Sequence, residues 1–434
     1  MRSIHYAAIE VIEQMQLQRF KALLETVYEH SRYYAETLRA AGLCPADVTS
    51  WKDLHKLPEL DTPTLLARSA DFPGVPRSRL RRVMVSGGTT GSPKVCFLSD
   101  NTREILEDWA AVWSATGLSP GDLVAVMCPL PLASGIVITE LAEELGCATL
   151  PLGLTTPPAV SAQLMKQLGA TAVASQPSTV LRFADEVRRL GHDPASFGVA
   201  KMLLGSEVLT SKTRRQIEEE WRCEVFDRSG STEVGMIGSE CAQHDGQHLA
   251  VGSAYFEVLD LETGAPVRDG LGRLYTTSLL NLGLPLIRYD MKDIVRITSR
   301  PCTCGRTTPR ITFMGRSDDR FIFETGVKLY AYQIDAALER FDRVTLDYNA
   351  IAIRAQRQDA LRLVVEVPAA VREDGDLARA IAQAIVDSSA DFKELHDARL
   401  IGRPEVELVP VGTLDRTARG KIQRRFRDRR DTPA

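Results

Sequence analysis

The chain has 434 residues, 44% of them hydrophobic and 25% charged, the proportions of a folded chain long enough for about two or three domains. A net charge of −4 lacks the basic excess of a nucleic-acid binder, and eight cysteines are too few for a disulfide scaffold of this length. The opening MRSIHYAAIEVIEQ has no apolar core of signal type, and the longest uncharged stretch, Leu145 to Met165, is broken by Pro151, Pro157 and Pro158, so neither export nor membrane insertion is expected and the cytoplasm is the default compartment.

Residues 4–41 read as helical, with Ile4, Ala8, Val11 and Met15 at helical spacing and Phe20, Leu23, Leu24 and Val27 continuing the pattern. Prolines break up 42–82, and VMV (83–85) reads as a strand. Strands at 123–127, 147–151, 171–175, 202–205 and 224–227 then alternate with helices at 134–145, 158–168, 178–190 and 210–221. That alternation predicts an α/β fold, a parallel sheet covered by helices on both faces with its ligands beyond the carboxyl ends of the strands. Residues 255–267 and 272–279 predict an antiparallel β segment. After Gly315 a smaller α+β pattern follows, with strands at 321–323, 350–353, 363–367 and 406–409 and helices near 331–340 and 376–388.

The stretch Ser86-Gly87-Gly88-Thr89-Thr90-Gly91-Ser92-Pro93-Lys94 follows the 83–85 strand. Three glycines allow close backbone approach, successive N–H groups form an anion nest, and the hydroxyls and Lys94 add donors and charge, a combination suited to a polyphosphate. It is not a Walker loop, because Pro93 precedes the lysine and Val95 follows it. Cys302 and Cys304 lie in a tight turn, with Cys241 and His248 some 60 residues earlier; three Cys and one His suit a closed, tetrahedral, structural zinc site, and His244 is a competing nitrogen ligand. Cys44, Cys96, Cys128, Cys147 and Cys223 read as small core residues.

The loop 86–94 resembles the phosphate loop of the adenylate-forming superfamily of acyl-CoA synthetases, adenylation domains and luciferases. Further segments follow in that superfamily's order: Gly205-Ser206-Glu207, Gly230-Ser231-Thr232-Glu233, Arg288-Tyr289-Asp290-Met291-Lys292-Asp293, Gly315-Arg316-Ser317-Asp318-Asp319 and Thr417-Ala418-Arg419-Gly420-Lys421. The N-terminal YYAETLRAAGL, LPELDTPTL, and CTCGRTTPRI before GRSDD are similar to the phenylacetate-CoA ligase-like branch, where the Cys/His set recurs. The resemblance implies a large N-terminal domain, 1–318, and a small mobile α+β C-terminal domain, 319–434, with a hinge at 318–319.

It further implies roles. Ser86, Gly87, Gly88, Thr89, Thr90, Gly91 and Lys94 would hold phosphates, and Gly205, Ser206 and Glu207 the nucleotide base. Thr232 would touch phosphate and Glu233 would ligate Mg²⁺. Asp293 would bind the ribose and Arg316 would lie near ribose and phosphates. Lys421, on a tail of net charge +5 over Leu414 to Ala434, would bridge the α-phosphate and the acid. The implied reaction is ATP-dependent activation of a carboxylic acid, an aromatic one by branch, to an acyl-adenylate, followed by transfer to coenzyme A. A carrier-protein thiol or an amine as acceptor, nitrite activation by an aryl-amine diazotase, and a non-catalytic nucleotide-binding relative are the alternatives. A homodimer is compatible with the reading.

Two positions depart from the pattern: Ser229 replaces the usual aromatic before Gly230, leaving Phe226 as a candidate to stack on adenine, and Lys292 replaces the usual glycine before the ribose aspartate. The residues expected around the acyl group, Pro129 to Gly135 and Ser206 to Thr210, are small and apolar apart from Glu207, and they contain no ionic anchor.

Overall fold

The computed structural model describes residues 4–85, 94–130, 132–355, 358–416 and 426–430, and the chain divides into two units. The large one comprises Met1–Met291 and Val295–Phe313, the small one Lys292–Ile294 and Met314–Ala434.

The large unit opens with α1 (Ile9–His30) and α2 (Arg32–Ala40), so the expected single helix is interrupted. The interruption is at Ser31, which is buried, donates its hydroxyl to Asp71 O (3.1 Å) and accepts from Tyr34 N–H as the N-cap of α2. The buried face of α1 is Ile12, Gln16, Phe20, Leu23, Leu24 and Val27. The expected Val11 is instead 51% exposed, because the face is turned by one residue. Gln16 belongs to that face because its amide donates to Val251 O (2.8 Å) and Ala254 O (3.2 Å). In the proline-rich region α3 (Thr62–Ala67) starts on an Asp61 cap.

The hairpin β1 (Leu80–Val85) and β2 (Val95–Ser99) flanks the Gly/Ser/Thr loop. Then come α4 (Thr102–Trp113), β3 (Leu123–Val126), α5 (Ala133–Glu144), β4 (Ala148–Pro151), α6 (Pro158–Leu168), β5 (Ala172–Ser175), α7 (Pro177–Arg189), β6 (Lys201–Gly205), α8 (Ser211–Trp221) and β7 (Glu224–Ser231). The strands β4-β3-β5-β6-β7 are parallel neighbours. Their residues alternate between two cores: Val124 and Val126 pack with Trp109 and Trp113 of α4, Ala125 and Met127 with Met165, Val180 and Trp221 on the other face. That double burial is why β3, β5 and β6 are short, apolar runs.

The sheet continues through β8 (Gly235–Glu240), β9 (Gln247–Leu249), β10 (Ala254–Leu259), β11 (Gly270–Ser278), β12 (Tyr289–Thr298) and β13 (Arg310–Arg316), with β7/β8, β8/β9, β9/β13 and β10/β11 antiparallel. Among the described residues one sheet of eleven strands results, in the order β10-β11-β12-β13-β9-β8-β7-β6-β5-β3-β4. The parallel sheet and the antiparallel segment expected separately are thus continuous.

The small unit has a hairpin of β14 (Arg320–Ile322) and β15 (Lys328–Tyr330), then α9 (Ala331–Leu338), β16 (Tyr348–Ala355), β17 (Gln358–Val367), α10 (Gly375–Val386), α11 (Ala390–Asp397), β18 (Glu405–Pro410) and β19 (Phe426–Asp428). Its four-stranded sheet, β18-β17-β16-β19, buries Ala350, Ala352, Leu361, Leu363 and Val365 against Leu377, Ile381 and Ile385 of α10. No helix among the described residues is long and apolar enough to cross a membrane.

Candidate active site and metal centre

Glu233 lies in the turn between β7 and β8 and is 6% exposed. Its Oε1 accepts from the Tyr289 hydroxyl (2.9 Å) and from Lys94 Nζ, and Lys94 also donates to the Tyr289 oxygen (3.1 Å). The phenol proton goes to Glu233, so the Thr62 hydroxyl, 2.9 Å away, donates to the phenol oxygen as well. Lys94 is thereby brought together with the adjacent Thr232 and Glu233 from a distant stretch of chain. The rest of the expected phosphate loop, Ser86, Gly87, Gly88, Thr89, Thr90 and Gly91, lies outside the described residues, and so does Lys421.

Gly205 ends β6 opposite Arg228 of β7, and a Cβ at Gly205 would stand 2.3 Å from Arg228 O, so only glycine fits. Ser206 follows with φ of 67°. Both carboxylate oxygens of Glu207 are taken by Ser178 at the start of α7, Oε2 by its N–H (3.0 Å) and Oε1 by its hydroxyl (2.8 Å). Arg288 (48°) and Lys292 (62°) also have left-handed φ. Lys292 occupies the position where glycine is usual, and holding that conformation with a side chain costs roughly 1 kcal/mol. Non-glycine residues in this region concentrate at functional segments.

Ser229 donates its hydroxyl to Gln247 Oε1 (2.5 Å), and Gln247 Nε2 donates to Asp227 Oδ2 (2.7 Å). Asp227 N–H donates to Glu240 Oε2 (2.8 Å), and Arg214 clasps Glu240 through two bonds (2.9 and 2.8 Å). Phe226 is 1% exposed with its ring 5.2 Å from that of His244, so it has no open face for a base. In the small unit Arg316 bonds Asp293 Oδ1 (3.3 Å) and Asp318 (3.1 and 3.3 Å).

The sulfur and nitrogen donors of Cys241, His248, Cys302 and Cys304 all lie within 4.8 Å of one another. Cys241 Sγ and Cys302 Sγ are 3.7 Å apart, Cys304 Sγ and His248 Nε2 3.3 Å. The edges of a zinc tetrahedron with Zn–S of about 2.3 Å and Zn–N of about 2.0 Å are about 3.8 Å and 3.5 Å, so the donor set fits the ion. Burial and the cations of Arg306 and Arg310 push the His248 imidazole down to about 4, which keeps it neutral. With Nδ1 donating to the Thr308 hydroxyl (3.0 Å), the Nε2 lone pair faces the sulfurs. His244, the competing ligand, sits instead on Glu240 (3.3 Å) and Glu224 (3.1 Å). Of the other cysteines, Cys96, Cys128 and Cys147 are buried and Cys223 is half-buried. Cys44 is exposed rather than core, because it opens a short turn at Pro45 whose Asp47 carboxylate takes its N–H (2.7 Å).

Sequence reasoning missed Tyr289, although it stands inside the quoted Arg288–Asp293 segment. It also missed Thr62, which stands inside the quoted LPELDTPTL, and Gln247 and Asp227, for which no pattern existed.

Residues 75–278 match the family model of the AMP-binding enzymes and 326–430 that of the AMP-binding enzyme C-terminal domain. A phenylacetate-coenzyme A ligase of Thermus thermophilus is 29% identical over 96% of both chains, and one of Pseudomonas putida 30% identical over 84% of this chain and 83% of its own. A crystal structure of 2-hydroxyisobutyryl-CoA ligase in the postadenylation state in complex with 2-HIB-AMP superposes with a TM-score of 0.81 at 25% identity, covering 96% of this chain and 89% of that one. With both models matched in order and such relatives along nearly the whole length, the chain belongs to the AMP-binding, adenylate-forming enzyme family.

Proposed function

We propose that the protein activates a carboxylic acid with ATP and passes the acyl group to coenzyme A. The acid oxygen attacks the α-phosphorus and pyrophosphate leaves; the coenzyme A thiol then attacks the acyl carbon and AMP leaves. The observation that carries this reading is the Lys94–Glu233–Tyr289 group, whose lysine ends the Gly/Ser/Thr stretch of the sequence. A buried carboxylate paired with a lysine is a site poised for exchange: a polyphosphate draws the lysine to itself and leaves the carboxylate for a cation. Mg²⁺ is commonly held by one or two carboxylates together with substrate phosphates, and Glu233 supplies such an oxygen. When bound, Mg²⁺ supplies charge neutralisation at the phosphate oxygens.

The remaining roles follow the family pattern. Ser86 to Gly91 and Thr232 bind phosphate; Gly205, Ser206 and Glu207 border the base, with Glu207 acting through its hold on α7. Asp293, oriented by Arg316, binds the ribose, and Lys421 bridges phosphate and acid in the first step. Asp318 and Asp319 form the pivot between the domains 1–318 and 319–434. Zinc on Cys241, His248, Cys302 and Cys304 is structural, since four protein ligands leave no open position, and the thiolates suit a reducing cytoplasm. The acid is drawn from the aryl acids named for the relatives and their aliphatic counterparts.

Pyrophosphate and AMP release over a panel of acids and nitrite, with and without coenzyme A, is the test. Acid-dependent pyrophosphate with coenzyme A-dependent turnover is expected; no ATP consumption with any partner overturns the reading.

A further inference from the structure

The carboxyl ends of β3, β5 and β6 form the crevice in which an open parallel sheet binds its ligand. Arg228 of β7 lies across all three. Its Nε points at Leu203 O of β6 (3.4 Å), and its Nη2 at Ser175 O, the last residue of β5 (3.4 Å), and at Cys128 Sγ, just past β3 (3.9 Å). Its guanidinium carbon stands 5.7 Å from the Trp113 ring centre. The missing side chain of Gly205 makes this room, since a Cβ there would come within 3.2 Å of Nη1. Arg228 is 8% exposed. Among the described residues no carboxylate lies within ion-pair distance of it and no hydrogen bond reaches Nη1. Asp227, its neighbour in the strand, turns to the opposite face, where Gln247 holds it.

A guanidinium is a donor-only cation, strongly disfavoured in a protein interior without an oxyanion. Two carbonyls at 3.4 Å are beyond the usual 2.7–3.2 Å and do not compensate it. A buried, forked and under-used donor at the ligand end of a sheet is a receptor for a carboxylate. It borders the segments expected around the acyl group and supplies the ionic anchor that they lack.

We propose that Arg228 binds a second carboxylate on the acid, so that the enzyme takes dicarboxylic acids and activates the end away from Arg228. This rests on the adenylation reading.

Two pairs of acids test it: glutarate against pentanoate, and 4-carboxyphenylacetate against phenylacetate. With the full-length protein the diacid of at least one pair is expected to have a kcat/KM for pyrophosphate release about tenfold or more above its partner. In Arg228→Met the diacid falls about 100-fold, mainly through KM, while the monoacid is unchanged or improved. The melting temperature of the free variant stays equal or rises, because an uncompensated buried charge is gone. Arg228→Lys recovers part of the diacid activity. Monoacids preferred in both pairs by the wild type, or equal losses for both members of a pair in Arg228→Met with a lowered melting temperature, would overturn the proposal. If no acid releases pyrophosphate the adenylation reading fails, and calorimetry with the two diacids still judges Arg228: binding abolished by Arg228→Met supports the proposal, and binding that is absent in the wild type or unaltered in the variant overturns it.

Discussion

Burial and the charge of Glu240 push the Asp227 carboxyl up to about 7, against the opposing pull of Gln247, Arg214 and Arg228. Its ordinary value is 3.8, so between about pH 4 and 7 the folded chain binds more of this proton than the unfolded one does. The group therefore favours folding on the acid side, and its penalty grows as pH rises through that window. Asp227→Asn removes the ionisation while keeping an oxygen for Gln247. The expected gain in melting temperature is about 2 °C or more at about pH 8 and smaller at about pH 5.5; equal gains at both, by differential scanning fluorimetry, would contradict the assigned charge state. Nothing in the local string FDRSG announces any of this. Asp227 and Arg228 are adjacent in sequence and meet opposite surroundings, one an acidic cluster and the other an aromatic core, because strand neighbours point to opposite faces.

Pairing between strands explains how the Cys/His donor set comes together. Cys241 follows β8, His248 sits in β9, and Cys302 and Cys304 lie between β12 and β13. The β8/β9 register sets Glu240 opposite Gln247, and the β9/β13 register sets His248 opposite Arg310, which draws the Cys302 turn onto the hairpin. Three cysteines with one histidine were legible as a donor set, a reading strengthened by the family resemblance, whereas the physical reason for His248 rather than His244 was not. His244 is held by Glu240 and Glu224, an arrangement that depends on the β7/β8 pairing. Purified protein is expected to contain about one equivalent of zinc. Cys302→Ser should lose it and melt several degrees lower; a variant that retains full metal by elemental analysis would rule out this site.

The proposed reaction has two steps, and Lys421 is assigned to the first. For Lys421→Ala the adenylation half-reaction should fall about 100-fold or more, as loss of a charged group acting on the transferring phosphoryl group does. Thiolysis of a supplied acyl-adenylate should change by less than about threefold. Equal loss in both half-reactions would contradict a lysine used in the first step alone.

The alternation of short apolar strands and amphipathic helices was readable at once, because hydrophobic period and turn residues are local properties. So were the ordered motifs, since a glycine-rich loop or a Cys-Thr-Cys turn carries its chemistry in adjacent positions. The joining of parallel and antiparallel strands into one sheet of eleven was not, because pairing partners are set by burial across the whole unit. Nor was the meeting of Thr62, Lys94, Glu233 and Tyr289, whose hydrogen bonds span up to 227 positions. The acyl pocket drew the sharpest line between the two. As a string, its expected segments are small and apolar apart from Glu207, and the buried cation that borders them, Arg228, comes from a strand in which adjacent residues point the other way. Sequence spacing encodes which face a residue takes, but only packing determines whether a charge on that face finds a partner within the chain or stays available for a ligand.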